Sequence, residues 1–370
     1  MKETAVYIFF VTAGALLYLI IYYIYFAGKF LRYKSRPPVF DDGVSVIVAA
    51  KNESANLQRH IPLWLGQDYP SFELVIIDDR STDDTEKVLE TFENHPQIKI
   101  VRIPFQEWKT FIGNKKYALT MGIKAARYPY LLFTDADCRP ASPHWIRYMT
   151  AHFKEGKEII LGYGKYERRK GWLNALVRYE TLMTALQYFG FALRGKAYMG
   201  VGRNLAYTKE VFFRNDGFKS HFEILSGDDD LFVNENATPD NTAVCYRPEA
   251  HTVSLPPASW KSWFKQKRRH YSTARHYRFV HRMLLGMYAL ARFLFFTGTL
   301  VLLFMPDWRP VAAGMVFVWL LTHTLTVYKG GNKLQEGGLW WRAWMLEGML
   351  LLFQISVFIA GIFKKPQHWD

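Results

Sequence analysis

The chain has 370 residues, 50% of them apolar and 17% aromatic, with a formal net charge of +14. That composition excludes a disordered or fibrous chain, and the length allows one domain of about 200–250 residues with additional helices. With two cysteines, Cys138 and Cys245, neither a disulfide framework nor a zinc-ligand spacing is expected, and both read as structural thiols in a reducing cytosol.

Residues 4–28 carry no charge. A run of about 20 apolar residues suffices to cross a bilayer. A signal peptide fits less well, because Lys2 is the whole basic n-region and Tyr22 to Tyr25 offer no small-residue cleavage site. Lys29, Arg32, Lys34 and Arg36 follow with no acidic residue among them. Such a flank predicts a cytoplasmic domain after the helix and an N-terminus on the outer side. Pro37 and Pro38 then mark a linker.

Residues 44–255 read as a soluble α/β domain. Val44–Ala50 is a buried-type strand, and 55–65 a helix weakened by Pro62. Residues 73–77 form a second strand ending in Asp78 and Asp79, and Ser81 with Asp84 resembles a helix N-cap. Strands at 98–103 and 130–134 flank a helix at 114–126. Strands alternating with helices predict a Rossmann-like, mostly parallel sheet, whose ligands sit beyond the carboxyl ends of the strands. Ala50, Asp79 and Asp135 all fall at such ends, so one crevice is expected to collect them. Residues 172–193 are aromatic-rich and fit either an interfacial or a core helix.

Lys261, Lys265, Lys267, Arg268, Arg269, Arg275, Arg278 and Arg282 again stand without an acidic residue. They favour anionic headgroups on the cytoplasmic side of a membrane. No nucleic-acid recognition motif accompanies them, so nucleic acid is not an expected partner. Three apolar segments follow, at 283–305, 311–328 and 343–363, the first containing Arg292 and the third Glu347. Each charge must snorkel, pair or face a cavity. Lys329, Lys333 and Arg342 suggest a cytoplasmic loop, while Lys364 and Lys365 suggest a cytoplasmic tail. Three spans cannot satisfy both, so one segment is expected to be re-entrant. The organisation expected is 1–36 as a transmembrane helix with its basic flank, 37–282 as the catalytic domain, and 283–370 as membrane helices.

Five sites can carry chemistry, the first being Asp78-Asp79, whose carboxylate at a strand end can accept from a base or ribose or simply sit in a solvated turn. Asp135-Ala136-Asp137, at the mouth of a buried strand, suits a divalent cation also held by a substrate diphosphate. The same spacing is common in surface turns. Lys115, near a helix start, adds point charge for a diphosphate or is an ordinary exposed lysine. Asp228, Asp229 and Asp230 repel one another, which raises at least one pKa and suits a general base. They are equally a charged helix start. Gln266, Arg269 and His270 can hold sugar hydroxyls or phosphate oxygens, or lie on a lipid-facing basic helix. No Walker-type phosphate loop is present.

The order of these motifs resembles membrane-bound family 2 glycosyltransferases of GT-A fold, with the processive cellulose, chitin and hyaluronan synthases as the nearer kin. The order runs from Val44–Ala50 with Lys51, Asn52 and Glu53, through Asp78-Asp79, Lys115 and Asp135/Asp137, to Gly227-Asp228-Asp229 and Gln266/Arg269. The resemblance covers residues 44–271. It implies an inverting transfer from a nucleotide-diphosphate sugar to a hydroxyl of a lipid-linked or saccharide acceptor. Ala50, Glu53 and Asp79 would contact the nucleoside side of the donor, and Lys115 its diphosphate. Asp137, with Asp135, would hold Mg2+ or Mn2+. Asp229, beside Asp228, would be the base, and Gln266 and Arg269 would hold diphosphate or acceptor. The segment Gly200–Ala206 is similar to the loop before the acceptor site. His270 departs from the family's tryptophan at that position, and the membrane helices are few for a polymer channel. Transfer to polyprenyl phosphate, transfer to a ceramide-type lipid, and a non-catalytic nucleotide-sugar-binding subunit of a polysaccharide or glycolipid assembly are the rival expectations.

Overall fold

The computed structural model describes residues 2–35, 38–104 and 115–363. The linker residues Arg36 and Pro37, the Gly113-Asn114 step and the tail with Lys364 and Lys365 lie outside the described residues.

Helix α1 (Lys2–Tyr22) continues through a wider turn, Tyr23–Ala27, into α2 (Gly28–Arg32). The catalytic-type domain then runs β1 (Val44–Ala50), α3 (Ser54–Leu65), β2 (Phe72–Asp78), α4 (Thr85–Glu90), β3 (Ile98–Arg102), α5 (Lys115–Ala125) and β4 (Tyr130–Asp135). It continues with β5 (Cys138–Pro140), α6 (Trp145–Thr150), β6 (Ile159–Leu161), β7 (Gly164–Tyr166), α7 (Trp172–Ala192), β8 (Leu205–Thr208) and α8 (Lys209–Arg214). After these come α9 (Asp230–Asn236), β9 (Thr242–Val244), β10 (Thr252–Ser254) and α10 (Trp260–Tyr271). The chain ends in α11 (Phe279–Leu303), α12 (Arg309–Lys333) and α13 (Ala343–Phe363).

Seven strands form one sheet in the order β3-β2-β1-β4-β8-β6-β9. β3, β2, β1 and β4 are mutually parallel, and β8 runs antiparallel to both its neighbours. The chain winds outward from β1 in both directions, which makes the β1/β4 junction a topological switch point, where such sheets bind ligands. Three short strands, β5-β10-β7, make a second sheet. Alternate residues explain the unbroken apolar runs. Ile47, Val75, Ile77, Leu131 and Phe133 pack on one face, while Val46, Val48, Leu74, Ile76 and Leu132 pack on the other. A strand buried on both faces needs no polar alternation.

Among the described residues, four helices are long and apolar enough to cross a membrane: residues 3–32, 279–303, 306–333 and 340–361. Helix α11 begins earlier than the charge pattern suggests, at Phe279, because Arg278 and Arg282 sit at its entry rather than before it. Helix α7 is a core helix, buried on nearly every side. It lies between the domain's β7 and β9 and the helices α12 and α13. Gly190 makes this possible: a Cβ there would stand 2.5 Å from the Phe26 carbonyl oxygen. Buried ion pairing ties the same joint. Arg178 of α7 donates to Glu336, between α12 and α13, through Nε at 2.8 Å and Nη2 at 2.5 Å. Lys333 Nζ caps the carbonyls of Phe30 (2.7 Å) and Tyr33 (2.5 Å). The α12–α13 loop therefore lies on the same side as the catalytic-type domain.

Candidate active site

The parallel register brings three strand ends together. Ala50 pairs with Asp78 across β1/β2, and Ala49 with Asp135 across β1/β4. The chain leaves the large sheet immediately after Asp135 and joins the small one at Cys138. Asp135 and Asp137 thus occupy a turn at the switch point. Their carboxylates and the Cys138 thiol lie within 4.8 Å of one another.

Lys115, at the start of α5, ties two distant motifs into one site. Its Nζ is 2.7 Å from Asp135 Oδ1 and 3.1 Å from Asp228 Oδ2. Burial would lower this ammonium's pKa, but the charges of Asp135 and Asp228 outweigh it and hold it above the ordinary lysine range. Burial likewise would raise Asp228, but Lys115 and then Lys116 outweigh it and hold that carboxyl below the ordinary range. Asp229 goes the other way. Burial, followed by the charges of Asp228 and Asp230, pushes it up to about 7. Two carboxylates one residue apart are thereby set on opposite sides of their reference value, an arrangement typical of acid–base sites.

The backbone fixes where Asp229 points. Gly202 N–H donates to its Oδ2 at 2.7 Å and Asp230 N–H to its Oδ1 at 2.7 Å. Each oxygen keeps a second lone pair for a proton. Gly227 sits at φ +104°, where a side chain would also strike Leu231. The turn into the acidic run therefore requires glycine. Asp230 lines the cavity around this site but is tied down. Its Oδ2 accepts from Thr273 Oγ1 and, at 2.7 Å, from Tyr277 Oη.

One cavity of about 810 Å³ collects Lys115, Asp135, Asp228, Asp229, Gln266, Arg269 and His270. Gln266 Oε1 is buried without a partner among the described residues, and its Nε2 lies 3.4 Å from Tyr166 Oη. His270 is an exposed side chain on the wall of the cavity. The protein around it, then the charges of Lys267 and Arg269, lower its pKa from the ordinary histidine value. The loop Gly200–Ala206 contributes Val201, Gly202 and Arg203 to the wall, with Arg203 lying 4.4 Å over the Tyr166 ring.

The expectation of a single crevice for all the motifs needs correction. Ala50, Glu53, Asp79 and Asp137 do not line this cavity. The strand order is the reason: β2 lies beyond β1 from β4, so Asp79 is about 10 Å from Asp135 at ordinary strand spacing. The Ala50 carbonyl accepts the Asp79 N–H at 2.8 Å, and Arg80 Nη2 holds Asp79 Oδ1 at 2.6 Å. Asp79 Oδ2 is buried with no partner among the described residues. Glu53 stays close to the metal-type turn. Burial and the charges of Asp137 and Asp135 raise its pKa. The two groups of residues meet at Asp135.

Sequence reasoning missed Lys116. It is buried, and its Nζ reaches the carbonyls of His221 (2.9 Å), Ile224 (2.5 Å) and Ser226 (2.7 Å). It therefore shapes the segment leading to Asp228. The doubled lysine Lys115-Lys116 was the available signal, since one helix turn aims the two in different directions.

Residues 45–214 match the profile of Glycosyl transferase family 2. The chain carries a family 2 glycosyltransferase domain. Poly-beta-1,6-N-acetyl-D-glucosamine synthase of Staphylococcus epidermidis is 33% identical over 96 residues, 26% of this chain and 22% of that protein. Hyaluronan synthase of Pasteurella multocida is 31% identical over 127 residues, 34% of this chain and 12% of that protein. The matched segments thus span about a fifth or less of these relatives. A mannosyltransferase from Pyrobaculum calidifontis, solved with GDP-Man and Mn2+, superposes with a TM-score of 0.58 at 18% identity, over 92% of this chain and 99% of that one. That likeness establishes the GT-A fold of the glycosyltransferase domain.

The donor set at the turn suits a hard divalent cation. Asp135 and Asp137 offer carboxylate oxygens, the ligand type Mg2+ and Mn2+ take. Cys138 offers a soft sulfur that such hard cations do not favour, and burial, then the charges of Asp137 and Asp135, raise its pKa. Its Sγ instead sits 3.3 Å from Asp137 Oδ1 as a donor.

Proposed function

We propose that this protein is an inverting glycosyltransferase that moves a sugar from a nucleotide-diphosphate sugar to a hydroxyl of a lipid-linked or saccharide acceptor at the cytoplasmic face of a membrane. The observation that carries the reading is Lys115, whose one ammonium joins Asp135 to Asp228 across a single cavity.

In this reading the nucleoside lies over the ends of β2 and β1, with Asp79 Oδ2 as acceptor for a base or ribose donor. The diphosphate reaches β4, where Lys115 meets it. A divalent cation held by Asp137 and Asp135, with Glu53 behind them, would neutralise the departing diphosphate. Asp229 accepts the proton of the acceptor hydroxyl. The acceptor oxygen forms its bond to the anomeric carbon as the bond from that carbon to the diphosphate oxygen breaks, and the nucleoside diphosphate leaves. Attack from the face opposite the leaving group inverts the anomeric centre. Asp229 and its two backbone donors are fixed before substrate arrives, and such positioning supplies up to about 7–11 kcal/mol.

The test is a screen of UDP- and GDP-sugars with Mn2+ for protection of the purified chain against heating, since a ligand that binds only the native state raises its stability. Asp137→Ala should abolish metal-dependent protection. Asp229→Asn should keep protection and lose transfer by about 10²-fold or more, as for a general base. Protection by no nucleotide sugar, or full transfer by Asp229→Asn, would overturn the reading.

A further inference from the structure

The cavity that holds the acidic motifs extends well beyond them. Its wall runs past Tyr271 and Tyr288 to Arg292 on α11 and Gln354 on α13. It reaches the outside of the molecule between these two helices, beside Leu290, Phe293 and Phe358, which are 55%, 47% and 69% exposed. All three lie on segments apolar enough to cross a membrane. Exposed apolar surface at such a depth faces hydrocarbon. Side chains rather than close packing join the two helices. Arg292 Nη1 donates to Gln354 Oε1 at 2.7 Å, and its Nε lies 2.7 Å from Glu347 Oε1.

Two features of this opening select a visitor. Arg292 is 5% exposed and lines the cavity, and its Nη2 has no partner among the described residues. A buried guanidinium N–H without a partner leaves a strong donor aimed at whatever enters. Two of the cavity's cations also stand beside a carboxylate: Arg292 beside Glu347, and Lys267 at 2.6 Å from Glu180. A phosphate passing those two cations would feel the charge of Glu180 on the wall and of Glu347 behind Arg292. An uncharged hydroxyl, ester or glycosidic oxygen would meet donors without that repulsion. Arg203 and Arg269, with no carboxylate partner among the described residues, belong to the catalytic end: Arg203 follows Gly202, which donates to Asp229, and Arg269 precedes His270, which feels the charge of Asp228.

We infer that the acceptor reaches Asp229 sideways from the bilayer, between α11 and α13, as a lipid with an uncharged, hydroxyl-bearing headgroup. The inference rests on the glycosyltransferase reading. The headgroup passes Arg292 and the tyrosine-lined wall, and the hydrocarbon tail stays against Leu290, Phe293 and Phe358.

The experiment uses the full chain in phosphatidylcholine nanodiscs with two photoreactive lipids of identical diazirine tails, one a diacylglycerol and the other a phosphatidic acid. Labelled positions are mapped by mass spectrometry, and protection by UDP or GDP with Mn2+ against heating is measured on the same samples. The diacylglycerol probe should label Leu285 and Leu351 inside the cavity at least fivefold more than the phosphatidic acid probe. Ala289→Trp, at the opening, should cut that labelling at least fivefold and keep nucleotide protection. Labelling confined to outward residues such as Phe317 on α12, or equal labelling by the anionic probe, with protection intact, overturns the sideways route and leaves the enzyme reading standing. Interior labelling with nucleotide protection absent sinks the enzyme reading and leaves the lipid site.

Discussion

Asp229 is the group whose titration can be predicted most closely. Its pKa of about 7 arises from burial and from the charges of Asp228 and Asp230. A base must be ionised to act, so kcat/KM should rise with pH through that value. The ionised fraction is roughly a tenth at pH 6 and nine tenths at pH 8, a change of about tenfold. Asp228→Asn removes the larger of the two neighbouring charges and keeps the shape. At an effective dielectric of about 20, unit charges roughly 6–7 Å apart interact by about 2.5 kcal/mol, close to two pKa units before solvent screening. The substitution also frees Lys115 from one of its two carboxylates, which strengthens its pull on Asp229. Both effects have the same sign. The acid limb of kcat/KM should move down by about one unit, whatever happens to the plateau. His270 is shifted the other way, below the ordinary histidine value. The assay is initial-rate transfer from the donor found in the screen, between pH 5 and 9 at fixed ionic strength. The kcat/KM profile is the one to follow, because it reports the free enzyme described here. A limb that stays in place, or moves upward, would show that Asp229 is not the titrating base.

Lys116→Met should leave three carbonyls of the 221–226 segment without their ammonium. Unfilled buried acceptors cost about 1–3 kcal/mol each. The midpoint of thermal unfolding in detergent should therefore fall, and transfer should fall further as Asp228 loses its place. Gly190→Ala should force α7 away from the turn at Phe26, whose carbonyl oxygen would stand 2.5 Å from the new Cβ. Overpacking of this kind costs about 1–3 kcal/mol. Gly286→Ala on α11, where the Cβ meets nothing within 4 Å, is the control and should unfold at the parental temperature.

The parts of this molecule that could be read from its sequence are those in which one segment suffices. The buried strands β1, β2 and β4 announce themselves as unbroken apolar runs, and acidic residues at their ends follow from the rule for parallel sheets. What could not be read depends on partners far away in the chain. Lys115 and Lys116 are adjacent and chemically alike, yet one bridges Asp135 to Asp228 and the other clamps carbonyls more than a hundred positions away. Helix α7 carries few charges, so its pattern fitted a lipid interface as well as a core. Its burial is decided by Gly190, by Arg178 and by the helices on its far side. Arg292 and Glu347, each an isolated anomaly in an apolar run, become intelligible only as a pair between α11 and α13. A charge that costs several kcal/mol to bury alone is retained more readily when it is paired. That pairing leaves one guanidinium donor facing the route from the bilayer to Asp229, which ties the membrane segments to the chemistry and not only to anchoring.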